Sequence, residues 1–333
     1  MIDRQVRSAS REVFYLVLLA ASLGLIVTWV SLNLRLPTRA DTLHNLSAQL
    51  HGSPLIYAGE EFTKFPVYNR ILFPALHEAI TKHAGFSSAE QWYLLMRCAS
   101  FQLAFLAFVF VCRNALGMPS RAIALPACLL AIATIVSFNF RWEDVTDAID
   151  LLALSLSAGA ALARRYLVCL LLAVFFALNR EVAAYAGIVW FVLNATRTSF
   201  IFVGMQSAII SVASYGVAIA VRHAVRPASS ANWITPLDNV EKFISALTTF
   251  HFPNWLAMLA ATIALLFINV SFRGTLAKKF VTIALIFFAP AVVFGLLDEL
   301  RVLLPNFLML AFAVAASRAK ERGGRPATAA HPG

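Results

Sequence analysis

Charge is what this sequence has least of. Only 13% of its 333 residues are charged, where a soluble domain of this size carries roughly a quarter. With 60% hydrophobic residues and a mean hydropathy of +0.76, the chain lacks the polar surface to cover its own core, so lipid must be the outer solvent. Alternation at period two, the mark of a transmembrane barrel, is also missing. Paired cysteines are missing too. Cys98, Cys112, Cys128 and Cys169 all fall within apolar runs, which predicts neither a disulfide nor a thiolate metal site. What remains is a series of long apolar runs separated by short charged clusters, and helices are the spanning form such runs suit.

The expected fold is all-α, a polytopic transmembrane bundle of about ten spans. The predicted spans are 13–33, 93–112, 122–138, 148–163, 166–178, 182–196, 199–221, 255–272, 280–297 and 302–317. The first follows Arg4, Arg7 and Arg11 and reads as an uncleaved helix, because no small-x-small site follows it. Stretches 70–83 and 238–250, in the first and fourth outer loops, have amphipathic spacing and are expected to lie in the interface plane. Residues 1–317 form one helical domain. The basic tail 318–333, rich in Gly, Pro and Ala, is expected to be disordered and cytoplasmic.

Lys and Arg orient the bundle. Alternate connections hold 15 basic residues in 48 positions, and the opposite set holds 11 in 108. The denser set is assigned to the cytoplasm, with both termini. The net charge of +10 then reflects topology and attraction to anionic lipid, not nucleic-acid binding. Of the 17 acids, only Asp3, Glu12 and Glu321 fall on the cytoplasmic side. Acids do little to set orientation, so their excess outside calls for another reason. Any chemistry is expected there.

Polar residues gather in four outer places. The hairpin between Arg165 and Arg197 turns at Asn179-Arg180-Glu181. Each arm of about 14 residues rises roughly 21 Å against a hydrocarbon core about 30 Å thick, so the apex stops below the outer surface. Charges at that depth face a bundle interior or a watery cavity. The bland alternative is an Arg180–Glu181 pair that caps a tight turn. Arg141-Trp142-Glu143-Asp144 opens the fourth span, and Glu143, Asp147 and Asp150 share one helix face. Those acids would repel one another unless something cationic or protic lay opposite, and Arg141, Arg180 and Arg301 are candidates. A solvated helix N-terminus explains Glu143 and Asp144 equally well, but Asp147 and Asp150 less so. The last outer turn, Asp298-Glu299-Leu300-Arg301, is an ordinary exposed turn or a site with equal weight. The first outer loop holds Asp41, His44, His51, Tyr57, Tyr68 and Arg70. It is too long for a plain connector, while its His and Asp spacing matches no metal motif.

These features together resemble the GT-C class of membrane glycosyltransferases. The resemblance is one of architecture: many spans, a cytoplasmic N-terminus, and an acid in a long first outer loop with interfacial helices. It covers about the first 300 residues. It implies inverting transfer of a sugar from a polyprenyl-phosphate donor to a glycan or lipid acceptor hydroxyl, on the periplasmic or extracellular face of the plasma (bacterial inner) membrane. It also implies no cofactor; a divalent metal is not favoured. Asp41 takes the position of the general base, with Glu181 the second catalytic candidate. Arg180 and Arg301 are expected on phosphate, as the planar guanidinium fork suits. Asn179, Arg141, Glu143, Asp147, Glu299, Arg70 and Tyr68 complete the expected substrate-binding set. Asp41 departs from the class in standing alone; the nearest acid pairs are Glu60-Glu61 and Glu143-Asp144. Two rival readings are a transporter or flippase of lipid-linked sugars, and a non-catalytic subunit of an envelope assembly complex. Against the transporter, no internal repeat with matched interrupted helices is visible.

Overall fold

The computed structural model describes residues 2–33, 55–57, 60–62, 72–83, 89–137, 145–195, 199–225, 252–272, 274–294 and 303–323. In chain order the helices are α1 (Ile2–Asn33), α2 (Leu72–His83), α3 (Ala89–Asn114), α4 (Ser120–Ser137), α5 (Val145–Leu162) and α6 (Tyr166–Phe176). A 3₁₀ turn (Glu181–Ala184) leads into α7 (Tyr185–Asn194). Then come α8 (Phe200–Val225), α9 (Phe252–Ile268), α10 (Thr275–Phe294) and α11 (Leu304–Gly323). Each segment expected to span therefore contains a helix. Among the described residues, four stretches are long and apolar enough to cross a membrane: Ser10–Val30, Gln91–Asn114, Ser120–Ser137 and Phe200–Val221. Shorter apolar helices include α6 and Leu304–Ala319.

The outward faces confirm the solvent. Phe14, Leu18, Leu25 and Trp29 of α1 and Phe200, Ile201, Met205 and Val212 of α8 are all exposed. Continuous apolar faces of this size are not tolerated in water. The chain is a helical membrane protein. Helix α8 buries only 17% of its apolar stretch and α1 33%, so both stand at the periphery.

The centre is α11. Every residue from Leu303 to Ser317 is buried, and the helix touches α3, α4, α5, α9 and α10. Its alanines, including Ala311, Ala313, Ala315 and Ala316, let neighbouring backbones approach closely. Phe312 fills what remains, 4.7 Å from the ring of Phe108 and 5.3 Å from that of Phe280. A close approach elsewhere depends on Gly187. A Cβ added there would lie 2.6 Å from the Ser207 carbonyl and collide with Ser211 Oγ. Both serines bond across the same seam, Ser207 to Gly187 O at 2.8 Å and Ser211 to Ala184 O at 3.0 Å.

Cross-links tie helix ends together at the end of the bundle that carries the N-terminus. Arg113 of α3 donates to Glu12 of α1 at 2.6 Å and to Met118 O at 3.1 Å. Asn194 caps α5 through Ala161 O at 3.2 Å, and Lys279 caps α7 through Leu193 O at 2.8 Å. Arg318 reaches Asn269 at 3.1 Å. A cation at a helix C-terminus is favourable both as a donor to orphan carbonyls and against the helix dipole. The α5–α6 turn is a Schellman closure. Arg165 N bonds Ala160 O and Arg164 N bonds Ala161 O, with Arg164 at φ 56. That left-handed conformation costs a non-glycine residue about 1 kcal/mol.

Three details differ from the sequence expectation. The 182–196 span opens with the 3₁₀ turn, so the regular helix α7 has only 10 residues. Helix α11 continues to Gly323, so residues 318–323 are helical; 324–333 lie outside the described residues. The connection between α1 and α2 contains a short antiparallel hairpin, β1 (Leu55–Tyr57) with β2 (Glu60–Phe62), in register Ile56 to Glu61. The expected amphipathic stretch 238–250 lies outside the described residues.

Candidate functional site

The site forms where α6 stops short. Eleven residues give α6 a length of about 16 Å, well under the hydrocarbon thickness. Its last turn tightens through Leu178 N to Phe175 O and Asn179 N to Phe176 O. Arg180 then turns extended, at φ −166 and ψ 153, and starts the 3₁₀ turn. This delivers Asn179 and Arg180 against the first turns of α5.

There Asp147 and Asp150, three residues apart on one helix face, are both buried. Arg180 Nη1 donates to Asp147 Oδ1 at 2.6 Å and lies 3.4 Å from Asp150 Oδ2. Asn179 is fully buried. Its Nδ2 donates to Asp150 Oδ1 at 2.9 Å and to Thr146 O at 3.0 Å, while its Oδ1 has no hydrogen-bond partner among the described residues. In a low-dielectric interior each charge alone would be costly, and the mutual pairing offsets part of that cost. Tyr185, one turn along, is within electrostatic range of Asp150, Arg180 and Glu181.

Helix α2 closes over this end. Leu72 N donates to Leu178 O at 3.2 Å, which ties the start of α2 to the hairpin apex. Phe73 and His77 pack on Tyr93 with ring centroids at 6.1 and 6.4 Å, and His77 Nε2 bonds Ala89 O at 2.9 Å. Ala75, Leu76 and Ala79 remain exposed. The apolar stripe read from the sequence is thus split, with part facing outward and Ile80 packed on the protein. That arrangement suits a helix lying between the bundle and the interface.

Of the expected site residues, the structure brings together Asn179, Arg180 and Asp147. Glu181 opens the 3₁₀ turn beside them, half-buried. Arg180 pairs across to α5 and makes no ion pair with Glu181, so the simple capped turn is not what forms. Asp41, Tyr68, Arg70, Arg141, Glu143, Glu299 and Arg301 lie outside the described residues.

Two partners were missed as site residues. Asp150 shares the face of Asp147, and its spacing was the signal. Arg97 is 1% exposed within α3 and hydrogen-bonds Tyr93 one turn earlier. A lone arginine in the apolar run Leu94-Leu95-Met96-Arg97-Cys98 was its signal. Tyr93 and Met96 belong to the same apolar cluster as Ile149, Phe176, Ala177 and Ala183, so Arg97 belongs to this end of the bundle. Among the described residues, no three His, Cys, Asp or Glu side chains gather as a metal set. No protein-family model, curated protein or solved structure matches the chain.

Proposed function

We propose that the protein is a membrane glycosyltransferase of the GT-C kind. It moves a sugar from a polyprenyl-phosphate donor to an acceptor hydroxyl, with inversion, at the end of the bundle that holds the hairpin apex. The observation that carries this reading is the compensated cluster of Asp147, Asp150, Asn179 and Arg180. It is built into an otherwise apolar bundle beneath a helix of the first outer loop. A structural pair alone does not require two carboxylates, a guanidinium and a buried amide at the end of a truncated hairpin.

In this mechanism Asp41 removes the acceptor proton as an oxocarbenium-like centre is attacked. Arg180, held in a fixed orientation by Asp147 and Asp150, and Arg301 hold the leaving phosphate. Glu181 and Glu143 orient sugar hydroxyls. The fixed orientation is the useful part, because a preorganised donor stabilises developing charge without reorganising. Ten spans, a cytoplasmic N-terminus and an outward-facing site belong to the same proposal.

The test uses the full chain reconstituted in liposomes with polyprenyl-phosphate-linked hexoses. Asp41→Asn is expected to fold and to bind donor while abolishing transfer. Transfer at the wild-type rate by Asp41→Asn would remove the general base from the proposal. Flip of the lipid-linked sugar without transfer would favour a flippase.

A further inference from the structure

The end of the bundle opposite the site carries exposed cations. Arg164, Arg165 and Lys278 are exposed, and among the described residues none of them makes an ion pair or a side-chain hydrogen bond. Arg164 and Arg165 follow α5 and Lys278 precedes Lys279, within a set of helix ends joined by hydrogen bonds. Asn194 joins the end of α7 to the end of α5 through Ala161 O, and Lys279 joins α10 to the end of α7 through Leu193 O. Little negative charge is available to them from the protein. Among the described residues, Glu12 at this end is already taken by Arg113. The α5 and α7 carbonyl termini at the junction already have Asn194 and Lys279 as donors.

A lipid-facing strip begins where the cations stop. Leu167, Leu171 and Phe175 lie at spacings of four along α6 and are 68%, 67% and 50% exposed. They form one apolar face about 12 Å long, starting two residues after Arg165. Tyr166, beside Arg165, packs edge-on to the buried Trp190 at 5.5 Å, which fixes where the strip begins. Across from it, α8 presents Ile201 and Met205, also exposed, and α8 packs against α6. Position 164 strengthens the case. Its left-handed conformation, φ 56, is one that glycine adopts more easily, yet an arginine occupies it.

We propose that this turn is a binding site for an anionic phospholipid. Arg164, Arg165 and Lys278 receive the headgroup phosphate, and the acyl chains lie along Leu167, Leu171 and Phe175. Charge complementarity selects the occupant. A zwitterionic lipid would satisfy the apolar strip but would leave three cations facing a neutral headgroup.

Native mass spectrometry of the full-length protein, titrated in detergent with phosphatidylglycerol or phosphatidylcholine, tests this. The wild type is expected to prefer phosphatidylglycerol for the first bound lipid. Arg164→Gly/Arg165→Gln removes two cations while easing the backbone at 164, so it should fold normally. Its preference should fall about fivefold per cation removed, and Lys278→Gln should remove a further factor of about five. Arg164→Lys/Arg165→Lys should keep the preference, as should Lys82→Gln at the other end of the bundle. An undiminished preference in Arg164→Gly/Arg165→Gln with Lys278→Gln would overturn the proposal. So would displacement of the bound lipid by glycerol 3-phosphate alone, which would show an anion site with no lipid component.

Discussion

The two ends of this bundle use the same residue types in opposite ways. At the end with the N-terminus, cations cap helix carbonyls, as Lys279 does at Leu193 O, or meet a half-exposed acid, as Arg113 meets Glu12, and others face outward. At the apex end, charge is met by charge inside the protein, Arg180 between Asp147 and Asp150. Burial explains the contrast. An exposed guanidinium is solvated from outside, so single hydrogen bonds suffice. Around Asp147, Asp150 and Asn179, all buried, the protein must supply the counter-charge itself. The first arrangement tolerates loss of a member; the second does not.

That asymmetry orders the expected effects of substitution. Arg180→Ala leaves two adjacent buried carboxylates without their cation and should cost about 3–5 kcal/mol, read as a loss of thermal or denaturant stability in detergent. A loss below about 1 kcal/mol would mean that the cluster is solvated like a surface pair. Asn179→Ala should come next. It removes one donor from each of Asp150 Oδ1 and Thr146 O, with a cost of about 2 kcal/mol, and Asn179→Asp should be worse because it adds a third carboxylate. Gly187→Ala forces α7 and α8 apart and should cost about 1–3 kcal/mol, measured in the same way. The smallest effect belongs to Glu12→Gln. The Glu12 and Arg113 side chains are 45% and 38% exposed, so screening leaves less than about 1 kcal/mol, declining further in high salt. Equal losses for Glu12→Gln and Arg180→Ala would erase the distinction between the two ends.

How much of this was legible in the sequence depends on which physical term writes it there. The positions of helices were, because each apolar run must hydrogen-bond internally in lipid. The short hairpin was legible as well, from the closeness of Arg165 and Arg197. So was the need for a cationic or protic group opposite Asp147 and Asp150, which follows from their spacing. The central place of α11 was not. Lipid tails are as apolar as a protein core, so hydropathy cannot distinguish Phe312 at the centre from Phe200 at the rim. The Asn179 bond to Asp150 was hidden for another reason: it depends on how α6 unwinds after Phe176, a tertiary event. The β1–β2 hairpin escaped notice because strands of three residues are too short to show alternation.

Arg180→Lys, assayed for stability and for undecaprenyl-phosphate affinity on the same sample, tests most directly whether the apex cluster is a site as well as a brace. Lysine keeps the positive charge opposite Asp147 and Asp150 but loses the planar fork that a phosphate fits. The expected result is a protein close to wild type in stability that binds undecaprenyl phosphate at least about tenfold more weakly, roughly the 1.4 kcal/mol of one charged hydrogen bond. Unchanged affinity in Arg180→Lys, with Arg180→Ala lowering stability alone, would contradict the account and leave the cluster a structural brace.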